Sequence, residues 1–506
     1  MNPRPSSSVT IRATLAFLAV VAIAWSSSIQ AGGPVRPAVS APEYSITAIG
    51  VKGQLGAPLH INDRGQVLGV WCPDPGQSHC SYYYETGGKY YQARPPSFGG
   101  AVQSACGPFL LGLNDNGIVA GWEALAAKCP VGSPLDFPAE AVYGRIMANG
   151  SLRLIPLHGL SGDPFPPNAA SGTCWAEAID ADGTIAGTCL IPTPSPCPDN
   201  PFTAVVWKPS RYGYGNATPL AIPAGFCGAN VTNHRVYYGA RAMDTNGDVL
   251  GFGRRPGGKS AQIQTRDGLF WYKGTTPYVL PGLNLNGKPW HDAPDSYTST
   301  PFGMASQITM TNGVASGHVV IEGLCRVSGN VASGNERDVP CMWNVTIKRG
   351  KVTVSQAIAL GKRGCVEGVF GGINSHAWIV GASGKNNTDT ALWIPHGGEY
   401  TLYPLQSLIP HSSRWRLLGP CAVGGPNDIN DHGQIIGYAL YRGQPEGYLM
   451  TPLRPGMSRA NEPADWKSMQ HGLTQHPATV VSRLSAPILH GVESDTVPWA
   501  RPCAQR

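Results

Sequence analysis

One segment of the sequence, NGKPWHDAPDSYTSTP at residues 286–301, concentrates side chains that could do chemistry. His291 stands next to Asp292 and close to Asp295, and an imidazole beside a carboxylate can act as a general acid and base. Trp290 and Tyr297 flank these groups and could stack on a sugar or a peptide. The segment predicts a binding or acid–base site, although Trp290 could equally pin down its own long loop.

Two further segments combine arginine with side chains suited to ligand contact. GRRPGG supplies Arg254 and Arg255, and HSSRWRLL supplies Arg414 and Trp415. A guanidinium beside an aromatic ring can hydrogen-bond to and stack on a polar ligand. These four residues are candidates for ligand binding, although packing against its own loop is the favoured role of Trp415 because large aromatic side chains are buried more often than they bind.

Two glutamates, Glu177 and Glu367, could join His291 if the fold brings their segments together. The sequence has no G-x-S-x-G elbow, no phosphate-binding glycine loop and no dinucleotide fingerprint. It also lacks C-x-x-C and H-E-x-x-H spacings, so no metal site or cofactor is predicted. A catalytic role for the acidic residues and His291 remains the alternative to pure binding.

Calcium is the one metal that the sequence brings into question. The turns DADGT and DTNGD offer oxygen ligands in the form of Asp180 and Asp182, and of Asp244, Asn246 and Asp248. A calcium loop also needs an acidic or amide group five residues before its glycine, and alanine occupies that place in both turns. The pattern favours plain Asx-Gly hairpin turns over calcium loops.

These candidates must be held by a repeated element, because one phrase with an apolar start, an Asx pair and a glycine recurs along the chain. INDHGQIIG is one copy, and the spacings between successive copies are 52, 66, 64, 65, 65 and 56 residues. In two weaker copies alanine replaces the central glycine or one extra residue intrudes. The seven copies lie at residues 61–69, 113–121, 179–187, 243–251, 308–317, 373–381 and 429–437.

Each copy is followed by a loop and a second phrase that usually ends in Trp or Tyr, as in AVVW, GLFW and TALW, and then by a fourth strand-like run. The chain is rich in turn formers, with 64 Gly and 46 Pro, and has only 13% charged residues. Four short antiparallel strands in each of seven units predict an all-β, seven-bladed β-propeller. The last unit lacks a fourth strand, and we expect EYSITAIG at residues 43–50 to complete it and close the ring.

The phrase IN-D-x-G-x-V-x-G followed by an apolar run ending in Tyr or Trp resembles the HAF repeat of bacterial extracellular repeat proteins. The resemblance covers about residues 44–453, although TAV, DGL or TAL stands where the family has HAF. It implies a propeller and an exported protein. It supplies no catalytic residue to transfer.

The chain has 13 cysteines, and all but Cys503 fall in segments that a four-stranded blade places on one face, opposite the Asx-Gly hairpins. That face carries the long loops and is the predicted functional face. Disulfides are expected to tie these loops, although connectivity cannot be deduced from sequence. The proposed nearest-neighbour pairs are Cys72 with Cys80, Cys106 with Cys129, Cys174 with Cys189, Cys197 with Cys227, Cys325 with Cys341, and Cys365 with Cys421.

Export is indicated by the N-terminus, where two arginines precede a 13-residue apolar run, ATLAFLAVVAIAW, and a small-residue stretch that ends at Ala31. The predicted organisation is a signal peptide at 1–31, a linker at 32–42, the propeller at 43–453 and a poorly ordered extension at 454–506. The net charge of +6 has no basic block, so nucleic-acid binding is not predicted, and nor is a membrane anchor. We predict a secreted or periplasmic monomer that binds a glycan or a protein.

Overall fold

The computed structural model describes the blades of the chain but not every loop or either end. Within the described residues the backbone forms strands, turns and two short 3-10 helices, Leu405–Leu408 and His411–Ser413, without an α-helix. That part of the chain also has no helix long and apolar enough to cross a membrane. The described residues are 42–50, 55–72, 81–92, 108–124, 139–147, 151–160, 173–190, 202–223, 226, 239–244, 246–256, 264–285, 288–289, 299–311, 314–328, 337–360, 370–383, 389–396, 399–419 and 425–453.

The strands pair into seven antiparallel sheets, named blades 1 to 7 in chain order. After β1 (Tyr44–Ile49), blade 1 contains β2 (Leu55–Ile61), β3 (Val67–Cys72), β4 (Ser81–Thr86) and β5 (Lys89–Gln92). Blade 2 contains β6 (Pro108–Leu113), β7 (Ile118–Ala124), β8 (Ala139–Ile146) and β9 (Leu152–Pro156). Blade 3 contains β10 (Cys174–Ile179), β11 (Ile185–Leu190), β12 (Phe202–Trp207) and β15 (Thr218–Pro219), with a small hairpin of β13 (Pro209–Ser210) and β14 (Gly213–Tyr214).

The remaining blades repeat this order with local additions. Blade 4 contains β16 (Gly239–Met243), β17 (Val249–Pro256), β18 (Gln264–Tyr272) and β19 (Thr276–Leu280), followed by a hairpin of β20 (Asn284–Leu285) and β21 (Lys288–Pro289). Blade 5 contains β22 (Ser299–Thr311), β23 (Val314–Ser328), β24 (Arg337–Lys348), β25 (Lys351–Val354) and β26 (Ile358–Ala359). Blade 6 contains β27 (Phe370–Ile373), β28 (Ile379–Ser383), β29 (Asp389–His396) and β30 (Glu399–Pro404). Blade 7 contains β31 (Trp415–Arg416), β32 (Pro426–Ile429), β33 (Ile435–Tyr441) and β34 (Gln444–Pro452).

The blades form a closed ring. The first strand of each blade contacts the first strand of the next, in the order β2, β6, β10, β16, β22, β27, β32 and back to β2. The N-terminal strand β1 pairs antiparallel with β34, from Tyr44 opposite Pro452 to Ile49 opposite Gly447. The fold is therefore a seven-bladed β-propeller in which β1 completes the last blade, as the sequence predicted.

Four tryptophans that end the second repeated phrase explain why that phrase recurs. Trp207, Trp271, Trp343 and Trp393 lie on the third strands of blades 3 to 6 and are at most 1% exposed. Each indole Nε1 donates a hydrogen bond, 2.7 to 2.9 Å long, to a carbonyl of the segment that leads in from the preceding blade. The phrase thus fills the space between blades and anchors the connection to its neighbour.

The first repeated phrase forms the predicted turn. Its glycines take left-handed φ values, for example 73° at Gly433, and Ala377 takes 57° in the copy that lacks glycine. The Asx side chain before the turn accepts hydrogen bonds from backbone N–H groups two and four residues later. Asn62 does so through Oδ1 from Arg64 at 3.1 Å and Gln66 at 2.9 Å. These hydrogen bonds from the backbone to the Asx side chain stabilise the turn.

The two residues that follow the apolar residue of the phrase also form hydrogen bonds between neighbouring blades. These bonds are additional to those that stabilise the turn itself. In a donor belt, Asn374 Nδ2 donates to the Asn430 carbonyl at 3.1 Å, Asn430 to Asn62 at 3.0 Å, Asn62 to Asn114 at 2.9 Å, and Asn114 to Asp180 at 2.9 Å. The belt crosses from blade 6 through the ring closure to blade 3. Each bond is buried and joins the equivalent positions of two blades.

A second set of bonds, the acceptor belt, runs beside the donor belt. The N–H of Ser375 donates to Asp431 Oδ1 at 2.7 Å, that of Asp431 to Asp63 at 2.7 Å, and that of Asp63 to Asp115 at 2.8 Å. The dipeptide Asn-Asp therefore fastens the ring across blades 6, 7, 1 and 2.

Blade 5 departs from the register that the repeat alignment predicts. In blade 7, Gly437 pairs with Pro426, three residues before the apolar Ile429 of the repeat. In blade 5 the equivalent Gly317 pairs with Ile308, the residue that the alignment took as the counterpart of Ile429. The pairing of β22 with β23 also continues up to their turn, where Thr311 stands opposite Val314. The alignment therefore placed the apolar residue of this copy too early in the strand, in the one copy where Thr309 and not an Asx residue directly follows it.

Two of the six predicted disulfides lie within the described residues, and both are confirmed. Cys174 and Cys189 join the first two strands of blade 3, with their Cα atoms 4.1 Å apart. Cys325 and Cys341 join the second and third strands of blade 5. Both bonds lie toward the face opposite the Asx-Gly turns. The other four pairs involve cysteines outside the described residues or side chains that are not described.

Candidate functional site

Most of the site residues predicted from sequence fall outside the part of the chain that the structure describes. Their roles stay predictions. They are Trp290, His291, Asp292, Asp295, Tyr297 and Glu367.

Glu177 lies on the innermost strand of blade 3 and is 8% exposed. It occupies a β-bulge, because the register of β10 against β11 shifts between Ala176 and Ala178. A bulge re-aims the side chain that it contains. The Thr188 hydroxyl donates to Glu177 Oε1 at 3.5 Å. The glutamate is therefore part of the buried polar interior of the ring.

The arginine and tryptophan candidates of blade 7 separate into exposed and buried groups. Arg414 is exposed, as is Arg416 of the same segment, which is not among the predicted site residues. Trp415 is buried, and its ring packs on Tyr441 and Tyr448 with centroid distances of 5.0 and 6.1 Å. Trp415 thus has the packing position that the sequence also allowed.

The remaining pair of candidates lies on the second strand of blade 4. Arg254 and Arg255 pair through their backbones with Arg266 and Thr265 of β18. Their side chains are not described, so their ligand-binding role stays a prediction.

The structure brings together three ionisable residues that the sequence analysis missed, from blades 1, 5 and 7. Asp428 on β32 accepts hydrogen bonds from the N–H of Ile61 at 3.0 Å and from its own neighbour Ile429 at 2.8 Å. Its Oδ2 also lies 3.7 Å from Nδ1 of His60 on β2. Asp428 is 1% and His60 3% exposed, so both belong to the closed interior.

Glu322 on β23 is the third member of this cluster. It is fully buried, and neither carboxylate oxygen has a hydrogen-bond partner among the described residues. Burial, and then the charge of Asp428, raise the pKa of Glu322 well above its usual value. Burial without a hydrogen-bond partner therefore favours the protonated form of Glu322, because an unpaired buried carboxylate is strongly disfavoured.

Two glycines make room for these carboxylates. A Cβ at Gly303 would stand 2.9 Å from Glu322 Oε1, and a Cβ at Gly372 would stand 2.6 Å from Asp428 Oδ1. The first strands of blades 5 and 6 thus leave space for the acidic side chains. The cluster of a protonated acid, a hydrogen-bonded carboxylate and a histidine has the types of groups needed for proton transfer.

A small, partly open cavity lies next to this cluster on the Asx-Gly side. His60 and Asp428 form part of its wall, together with Asx residues of the turns in blades 1 and 2. The wall is polar and acidic, and the described lining residues include neither lysine nor arginine. The cavity could hold a small hydrogen-bonding group, and Glu322 is not among the residues that line it.

A second buried acidic pair lies toward the opposite face, in blade 2. Glu123 and Glu140 stand opposite each other on β7 and β8, and each is 2% exposed. Burial raises the pKa of Glu123 to about 7. Burial, and then the charge of Glu123, raise the pKa of Glu140 to about 8. Two neighbouring buried carboxyl groups are poorly solvated and repel each other when charged, so ionisation of both together is disfavoured.

Departures from the repeat were the signal that could have found His60 and Asp428. Directly before the repeated apolar residue, the equivalent positions hold Gly112, Ala178 and Ala242. When the innermost strands are aligned, His60 and Asp428 are ionisable residues at a position that is otherwise occupied by small residues in these copies. Glu322 gives no such signal, because it lies in the blade whose register the alignment missed.

Neither a protein-family model nor a curated protein matches the sequence. Among solved structures, the chain is similar to an ulvan lyase, with a TM-score of 0.42 and 11% identity over 80% of this chain and 96% of that one. It is also similar to virginiamycin B lyase from Staphylococcus aureus, with a TM-score of 0.37 and 11% identity over 81% and 99%. A Penicillium chrysogenum α-L-arabinanase matches with a TM-score of 0.30 and 12% identity over 81% and 97%. Likeness at this level carries no argument about activity.

Proposed function

We propose that this protein is an exported β-propeller that binds a glycan or protein ligand through its disulfide-tied loop face without transforming the ligand. The observation that carries the proposal is the closure of the interior. His60, Asp428 and Glu322 are at most 3% exposed, so a polymeric ligand has no contact with them. The ring then acts as a rigid support, and ligand contacts fall to the loops.

Two features support the loop face and export. The disulfides Cys174–Cys189 and Cys325–Cys341 brace the ends of strands on that face. Disulfides of this kind form in oxidising compartments outside the cytoplasm. Arg414 and Arg416 provide exposed positive charge in blade 7, where a polar ligand could be held.

The binding proposal is tested with the exported chain on a glycan array and with an extracellular-matrix pull-down. We expect retention of a defined ligand, and loss of that retention when Arg414→Gln and Arg416→Gln are combined. The matched control is Arg64→Gln, which removes an exposed charge from the opposite face. Equal binding by all variants would contradict the assignment of the ligand to the loop face.

An alternative function, a carbohydrate-active hydrolase or lyase, is favoured by one observation. Burial raises the pKa of Glu322 well above its usual value, and its neighbour Asp428 lies 3.7 Å from His60. That is the arrangement of an acid and a base in many enzymes. The alternative requires the ring to open a path to Glu322. Turnover in a polysaccharide panel that Glu322→Gln abolishes would support it and overturn the binding proposal.

A further inference from the structure

The turns between third and fourth strands lie on the same face as the Asx-Gly turns and contact them directly. The N–H of Ile146 donates to the Gly117 carbonyl at 2.9 Å in blade 2. In blade 4 the N–H of Lys273 donates to Asp248 Oδ1 at 2.7 Å. These outer turns therefore form the rim of the Asx-Gly face, opposite the disulfide-tied loops.

This rim is basic across five neighbouring blades, and we call it the basic rim. Its lysines and arginines are all exposed, and none forms an ion pair within the described residues. The acidic residue of the same described turns, Glu85, is buried. The members are Lys89, Arg145, Arg153, Lys208, Arg211, Lys273, Lys348, Arg349 and Lys351.

Two pairs of these charges face each other directly, whereas Lys273 is close enough to the buried Asp248 to offset part of the rise that burial causes in the pKa of that carboxyl. Arg145 stands directly opposite Arg153 on β8 and β9, and Lys348 stands directly opposite Lys351 on β24 and β25. Like charges in this position destabilise a strand pair. Asp182, on the neighbouring Asx-Gly turn of blade 3, is exposed but makes no ion pair with these residues in the described part of the chain. The arrangement costs stability and is suited to an anionic partner.

The rim is densest where blade 2 faces blade 3. Tyr143, on the same side of β8 as Arg145, packs edge-on against Tyr214 of the blade 3 hairpin with a centroid distance of 4.4 Å. Arg153 and Ile155 are exposed on that side of β9, whereas the alternate residues Leu152 and Leu154 are buried on the other. The two arginines therefore share the blade 2–blade 3 surface with the β13–β14 hairpin.

The tip of this hairpin adds an aromatic surface. Tyr212 is 92% exposed, and the Arg211 guanidinium lies 5.8 Å from its ring centroid. The hairpin is held at its base, where the Tyr214 hydroxyl donates to the Gly183 carbonyl. A flat, exposed ring beside arginines can stack on a sugar while the guanidiniums bind its anionic groups.

We propose that the basic rim binds an acidic polysaccharide, with Arg145, Arg153, Lys208 and Arg211 holding its carboxylate or sulfate groups and Tyr212 stacking on a sugar ring. This goes beyond the proposed function, because the surface lies on the face opposite the disulfide-tied loops. Cations spread over five blades fit a polymer with repeated charges. A nucleic acid is disfavoured, since the chain has a net charge of only +6 and no basic block.

The test measures binding of the exported chain to immobilised polygalacturonate and chondroitin sulfate by biolayer interferometry, with dextran as the neutral polymer. We expect binding to both acidic polymers, none to dextran, and marked weakening between roughly 0.05 and 0.3 M salt. The double variants Arg145→Gln with Arg153→Gln, and Lys208→Gln with Arg211→Gln, should each lower affinity about tenfold or more. Tyr212→Ala should weaken polysaccharide binding but leave binding to polyphosphate unchanged.

The matched control is the double variant Arg414→Gln with Arg416→Gln, which removes two charges from exposed positions in blade 7. It should retain polysaccharide binding through the rim even where it loses the loop-face ligand. Equal loss in this control and in the rim variants would overturn the proposal, because general charge would then explain the binding. Rim-dependent binding to duplex DNA or to phosphatidylserine vesicles, with none to the polysaccharides, would overturn the choice of partner.

Discussion

At the scale of single residues, the Asx position of the repeated turn has two chemical forms. Asn62, Asn114, Asn374 and Asn430 can accept and donate at once, and they do both. Asp180 holds the same position in blade 3, accepts from the N–H of Thr184 at 2.7 Å, and cannot donate when ionised. Burial raises the pKa of Asp180 to about 7, so its protonation changes near neutral pH.

Asp180→Asn should therefore stabilise the fold most at alkaline pH. The amide can donate toward the Asp244 carbonyl as its equivalents do in blades 1 and 2, and it removes a buried charge near Asp182 and Asp244. We expect a gain of about 1–2 kcal/mol at pH 8 and a smaller gain at pH 5. Melting temperatures at both pH values measure it. Asp182→Asn, at the exposed neighbour, is the control, and an equal gain at both pH values would contradict the account.

The Glu123–Glu140 pair predicts the pH dependence of stability in the opposite direction to that of a salt-bridged acid. The folded protein binds these protons more tightly than the unfolded chain, so their contribution is complete below pH 4.5 and is lost as the pH rises through 7 to 8. Glu140→Gln should make the free energy of unfolding fall less steeply with rising pH, by about 1 kcal/mol per pH unit or less. Denaturant titrations from pH 5 to 9 test it, with the exposed Glu399→Gln as control. An unchanged slope would contradict it.

At the scale of elements, the sequence predicted the blades because each repeats one hairpin and one apolar strand, which carries a tryptophan in blades 3 to 6. It did not predict the two belts, since they join residues 52 to 368 positions apart that only the closed ring brings together. It also misplaced the register of blade 5, where Thr309 follows Ile308 in place of an Asx residue. Within the candidate site, the loop residues could be proposed from the chemistry of their side chains alone. The contact of Asp428 with His60 could not, because it forms only where blade 7 packs against blade 1 in the closed ring.

The outer turn of blade 4 carries a basic residue in a strained conformation. Lys273 has φ of 51° and is followed by Gly274 at 62°, a turn in which asparagine is preferred over lysine at the first place. Lys273→Asn should therefore stabilise the protein by about 0.5–1 kcal/mol while it weakens binding to acidic polysaccharide. Chemical denaturation and biolayer interferometry on one preparation measure both. A loss of stability would contradict the strain attributed to this turn, and unchanged or stronger polysaccharide binding would count against the basic rim.

At the scale of the whole molecule, closure of the ring depends on a strand from the other end of the chain. Removal of residues 1–50 takes away β1, leaves the edge of β34 unpaired and exposes the core residues of blade 7 that Tyr44 packs against. We expect the truncated chain to associate and to melt at a lower temperature. Light scattering after size-exclusion chromatography measures the association. Removal of residues 454–506 is the control and should leave the melting temperature unchanged, since the sequence predicts an extension outside the blades.

The central claim is that this propeller binds its ligand and does not transform it. The most direct measurement incubates the exported chain with a panel of polysaccharides, acidic ones included, and follows bound protein and polymer mass together by size-exclusion chromatography with light scattering. The account predicts that protein co-elutes with at least one polymer whose mass stays constant. A fall in polymer mass that disappears in Glu322→Gln or His60→Ala would contradict it.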